Sequence, residues 1–158
     1  MPYETIPFRD ADAILQQKQM DAYLEETLQY LDAALYERDF RGSQLKICLD
    51  EMGWKDGNLA ILEGRRYQFK GLFKRVGVEA NLYVYEWILE GLFRLQLGYD
   101  KGLIDAGVLL LSGRRSPKSP LGATKDLVQE ELEAVYPTIS LPVLVALFDL
   151  GEPQCIHD

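Results

Sequence analysis

From Asp10 and Asp12 onward the apolar residues Met20, Leu24, Leu28, Leu31 and Leu35 recur at steps of three or four, which predicts one long helix with a single stripe turned towards a partner. The stripe fades at Glu37-Arg38-Asp39, and Arg41-Gly42 breaks the chain. Ser43 is the expected N-cap of a second helix that turns Leu45, Cys48, Leu49 and Met52 inward and stops at Gly53, before Trp54.

Between Asn58 and Val84 the period changes to two. Leu59 to Glu63, a turn at Gly64-Arg65, and Arg66 to Lys70 read as a hairpin, and Arg75 to Tyr83 as a third strand. In that strand Val76, Val78, Ala80 and Leu82 alternate with Arg75, Gly77, Glu79 and Asn81, so Glu79 and Asn81 share a face. Residues 85–98, with Trp87, Ile88, Leu92, Phe93 and Leu95, form an apolar helix. The unbroken run Ile104–Leu111 marks a strand covered on both faces. Ser112 to Ala123 is a loop, 124–135 a polar surface helix with Thr124 as N-cap, and Leu141 to Leu150 a last strand despite Pro142. The predicted order is helix, helix, three strands, helix, strand, helix, strand: an α/β fold with a mixed sheet flanked by helices and an extra long helix at the N-terminus. At 158 residues the expectation is one domain.

Charge narrows the partners. A net charge of −8 opposes general attraction to nucleic acid, yet the cations cluster: Arg65, Arg66, Lys70, Lys74 and Arg75 in one stretch, Arg114, Arg115 and Lys118 in another. Cys48 and Cys155 form neither a disulfide framework nor a zinc set, and the lone His157 is too near the end to be held as a general base. With no basic and apolar leader and no apolar run of membrane length, the expected location is the cytoplasm.

Three segments point further. Phe40-Arg41-Gly42-Ser43-Gln44 runs on to Met52-Gly53-Trp54; Phe73-Lys74-Arg75-Val76-Gly77-Val78-Glu79 follows; Leu103-Ile104-Asp105-Ala106-Gly107-Val108-Leu109 is the third. In this order they resemble the BglII-type restriction endonucleases of the PD-(D/E)XK nuclease superfamily, with its αβββαβ core. The likeness covers residues 40–112 and divides the chain into an N-terminal helical element (1–40), a nuclease-like core (41–112) and a closing loop, helix and strand (113–158).

The resemblance implies a Mg²⁺-dependent phosphodiester hydrolysis in which carboxylates hold the metal and a third group orients the attacking water. Glu79 stands at the acidic position of the motif and Asn81 at the lysine position, where an amide can hold a water but not act as a base. The first aspartate would fall nine residues before Glu79, and Lys70 stands there. A cation at a ligand position repels Mg²⁺, so either another carboxylate substitutes, Glu63 first and then Asp50 or Glu51, or the site is inactive. Glu86, Glu90 and Asp105 are more remote candidates, each with an ordinary role as a solvated or turn-forming acid. If Glu79 is no ligand, the expectation is an exposed strand carboxylate paired with Arg75 or Lys70.

Nucleic acid, if bound, would be met by Arg65, Arg66, Lys74, Arg75, Arg114 and Arg115. Three functions remain open at this point: a homodimeric Mg²⁺-dependent endonuclease on double-stranded DNA, a nuclease-derived binding protein without metal chemistry, and a non-catalytic protein-interaction domain.

Overall fold

The computed structural model describes residues 3–64, 67–82, 88–113 and 122–151. Its elements are β1 (Tyr3–Phe8), α1 (Ala11–Gln17), α2 (Asp21–Leu35), α3 (Arg41–Glu51), β2 (Gly71–Phe73), β3 (Val76–Asn81), α4 (Ile88–Asp100), β4 (Ala106–Ser112), α5 (Gly122–Ala134) and β5 (Val143–Phe148). The strands form one mixed sheet in the order β1-β5-β4-β3-β2. β4 lies parallel to both β3 and β5, whereas the outer pairs β1–β5 and β2–β3 are antiparallel.

The two faces of the sheet carry separate cores. Val76, Val78, Val108, Leu110, Ala146 and Phe148 pack against the apolar stripes of α1, α2 and α3, with Trp54 completely buried among them. On the opposite face Leu109, Leu111, Val143 and Val145 meet α4 and α5 through Leu92, Leu95, Val128 and Leu132. A strand covered on both sides loses the alternation of a half-exposed one, and β4 is accordingly buried along six of its seven residues. The mixed sheet, the helical crossover and the parallel, buried Ile104–Leu111 strand agree with the sequence reading. Among the described residues no helix is long and apolar enough to cross a membrane.

Five local expectations are corrected. The first residues form an edge strand, β1, that the pattern did not reveal: it is six residues long and contains Pro7, which an edge tolerates because one side of its backbone has no ladder to join. The single long helix is two, broken at Lys18-Gln19-Met20, where Gln19 adopts φ 58° and Met20 is driven into the core. Helix α3 begins at Arg41 after a left-handed Phe40, leaving Ser43 inside it, and Thr124 lies buried within α5 rather than capping it.

The fifth correction matters for the site. Residues 59–70 hold together by an isolated bridge, Ala60 with Gln68, and by Ile61 N–H to Tyr67 and Phe69 N–H to Leu59. The ladder hairpin is β2–β3 instead, turning at Lys74 and Arg75, both with positive φ (49° and 63°). Non-glycine residues there are strained by about 1 kcal/mol or more each. The turn is held by its surroundings: Lys18 Nζ donates to the Lys74 carbonyl at 2.9 Å, and Arg75 grips Asp105.

Candidate active site

Strand β3 directs Val76 and Val78 to one core, and therefore turns Gly77 and Glu79 towards α4. That helix lies unusually close. A Cβ at Gly91 would stand 2.7 Å from Leu109 Cδ1 and 3.7 Å from Glu79 Cβ, and one at Gly98 would stand 2.3 Å from the Phe69 ring. Two glycines on one helix face thus let α4 lie down on the sheet and seal Glu79, which is 1% exposed.

Two cations meet the sealed carboxylate. The Lys70 backbone N–H donates to the Val78 carbonyl at 2.9 Å, continuing the β2–β3 ladder by one residue and setting Lys70 beside Glu79. Lys70 Nζ lies 3.6 Å from Glu79 Oε1. Arg94 of α4 arrives from above, with Nη1 at 3.5 Å from the same oxygen. Its guanidinium is steadied by Glu90 one turn earlier, 2.8 Å from Nη2, and by the Tyr67 ring, whose centroid is 5.6 Å away. Glu79 Oε2 is buried with no partner among the described residues. Burial pushes the Glu79 carboxyl above its ordinary pKa, and the two cations only partly counter that shift.

This geometry was half visible in the chain. Lys70, expected as an ion-pair partner of Glu79, does face it. Arg94 was missed, because its role depends on the close approach of α4; the Glu90-x-x-x-Arg94 spacing was its only trace. Asn81 follows Glu79 on the same strand face and is half-buried. The other candidates are elsewhere. Glu63 is exposed in the turn of the 59–70 segment. Asp50 and Glu51 are exposed on α3, which packs on the far face of the sheet, and Glu51 accepts a hydrogen bond from Tyr30. Glu90 pairs with Arg94 from the exposed side of α4. Arg65, Arg66, Glu86, Arg114, Arg115 and Lys118 lie outside the described residues, as do Cys155 and His157.

A hard dication does not fit these groups. Mg²⁺ requires several oxygen ligands, and among the described residues no cluster of three or more acidic, cysteine or histidine side chains could hold a metal. The charges also oppose it. At an effective dielectric of about 20, two unit charges 4 Å apart interact by ~4 kcal/mol. A dication beside Glu79 would be repelled by both Lys70 and Arg94, which already crowd Oε1 of the carboxylate, and Glu90 is turned to Arg94 Nη2 rather than to Glu79.

The opposite end of β3 carries a second charged cluster. Arg75 makes a bidentate bond to Asp105 (Nε 3.1 Å, Nη2 3.0 Å), and Lys18 Nζ approaches the same carboxylate at 2.7 Å. The remote metal candidate Asp105 thus ties α1, the β2–β3 turn and β4 together, and Arg75 pairs with it rather than with Glu79. The hydrogen bond from Arg75 holds the Asp105 carboxyl below its usual pKa, aided by Lys18. A depressed carboxylate stabilises the fold above the unfolded pKa and loses that contribution as pH falls through the folded one. The acid limb of stability below about pH 4 is therefore expected to be shallower in Asp105→Asn than in the natural protein, read by urea titrations across that range; parallel limbs would show that the pair contributes nothing. Lys74 is exposed, with Nζ 5.5 Å from the Phe73 ring centroid.

No protein-family model matches the chain, and no curated protein sequence matches it. Solved structures do. The restriction endonuclease BglII in complex with a DNA 16-mer superposes with a TM-score of 0.69, covering 100% of this chain and 78% of that one at 16% identity. Free BglII gives 0.60, with 96% and 81% covered, also at 16% identity. The order of strands, the crossover helix and the buried central strand are thus those of a known architecture, and the chain has the fold of the BglII restriction endonuclease.

Proposed function

We propose that this protein binds double-stranded DNA on a BglII-like scaffold without cleaving it, the nuclease centre having become an internal charge cluster. The observation that carries this reading is the carboxylate at the motif position, Glu79, buried between Lys70 and Arg94. The fold is shared with a structure that holds DNA. Hydrolysis of a phosphodiester needs a group to activate water and a cation to stabilise the leaving oxygen. Asn81 cannot take a proton, and Glu79, sealed from solvent, is not placed to reach one.

Net negative charge is compatible with DNA binding when cations are gathered on one side. Lys74 at the strained turn is exposed, and Arg65, Arg66, Arg114 and Arg115 belong to the same two basic stretches of sequence. A homodimer suits a two-fold symmetric duplex. Leu89 and Phe93, 52% and 60% exposed on successive turns of α4, are apolar enough to be covered by a second copy.

The discriminating experiment is incubation of supercoiled plasmid with highly purified protein in Mg²⁺ and in Mn²⁺. The expected result is no nicking above that seen with Glu79→Ala. Nicking by the natural protein that disappears in Glu79→Ala would restore the Mg²⁺-dependent endonuclease.

A further inference from the structure

Lys70 and Arg94 face two carboxylates, Glu79 and Glu90, but their donors are not used up. Both approach a single oxygen at 3.5–3.6 Å, well beyond the ~2.8 Å of a good charge-assisted hydrogen bond. Arg94 Nε is buried and has no acceptor among the described residues. The remaining anion, Glu90, is half exposed and bound to Arg94 by an i,i+4 pair. Such surface pairs contribute only a few tenths of a kcal/mol, so Glu90 is readily released to water. Lys70, Arg94 and Glu79 then sum to +1, and the Lys70 and Arg94 side chains are 24% and 23% exposed.

We propose that Lys70 and Arg94 together hold one backbone phosphodiester of a bound duplex, in place of the metal that a nuclease of this fold would use. A phosphodiester carries −1, which matches the surplus, whereas a phosphomonoester dianion would leave negative charge beside Glu79. Glu79 sets the strength of the clamp by withholding part of its charge, and Tyr67 keeps the guanidinium plane oriented. The inference rests on the DNA-binding reading and names the residues that make one contact.

Binding of a fluorescent duplex, followed across salt concentration, tests it in both directions. Glu79→Gln is expected to tighten binding roughly tenfold at low salt, because it frees one local positive charge. Misfolding cannot produce that gain. Lys70→Met, checked for a normal thermal transition, is expected to weaken binding roughly tenfold and to flatten the salt dependence by about one unit of slope. A duplex with one neutral methylphosphonate at the contacted position should bind the natural protein less well and Lys70→Met no differently. Unchanged affinity in both Glu79→Gln and Lys70→Met would overturn the clamp and leave DNA binding standing. Failure of the natural protein to bind any duplex at low salt would overturn both.

Discussion

Lys70→Asp combined with Arg94→Gln is expected to raise Mg²⁺ affinity above that of the natural protein. The double substitution changes the immediate environment of Glu79 from two cations and one carboxylate to two carboxylates, a swing of three charges. The new aspartate stands at the position beside Glu79 that the ladder bond from Lys70 to Val78 defines. Two carboxylates supply the anchor on which a largely hydrated Mg²⁺ can settle, and an affinity on the order of 1 mM, the weak end for hard-cation sites, is anticipated. Calorimetry compares the variant with the parent. Equal heats in the two proteins would mean that the cations do not govern the site.

The second large effect concerns the scaffold. Gly98→Ala puts a methyl group 2.3 Å from Phe69 Cζ and 2.9 Å from Cε1, and Phe69 is itself buried at 2% exposure. A methyl group cannot stand so close to the ring, and because Phe69 is buried the relief expected is a lift of α4 from the sheet. Overpacking of this kind costs about 1–3 kcal/mol, and the upper part of that range corresponds to a fall in Tm of roughly 5–10 °C. Because the same lift withdraws Arg94 from Glu79, DNA affinity is expected to change along with stability. A Gly98→Ala protein with the parent's melting temperature would show that the close approach of α4 is not required.

What was legible in the chain follows from the range over which each signal acts. The β4 run and the alternation of β3 are local and strong, and they were enough to place Glu79 and Asn81 on one face and to predict a buried parallel strand. Spacing from the motif singled out Lys70, and a single backbone hydrogen bond explains why that residue does meet Glu79. The hairpin was misplaced for a local reason too. Leu59-Ala60-Ile61-Leu62 and Tyr67-Gln68-Phe69 look strand-like around a glycine, whereas the true turn uses Lys74 and Arg75, which carry none of the usual glycine or asparagine signal. β1 is interrupted by Pro7 and buries only Ile6, so its pattern does not register, and its strand identity is conferred by β5. Arg94 lay beyond reach because no pattern within α4 tells which strand the helix will cross or how closely.

On the proposed reading, a BglII-like fold binds DNA here without help from metal, using fixed cations where a nuclease would hold ions. Fluorescence anisotropy of a labelled duplex titrated with the protein in EDTA, and again in Mg²⁺, tests it most directly. Binding in EDTA that weakens steeply with salt, as counterion release requires, and that Mg²⁺ does not strengthen, is the predicted result. Binding that appears only when Mg²⁺ is present, or none in either buffer at low salt, would contradict it.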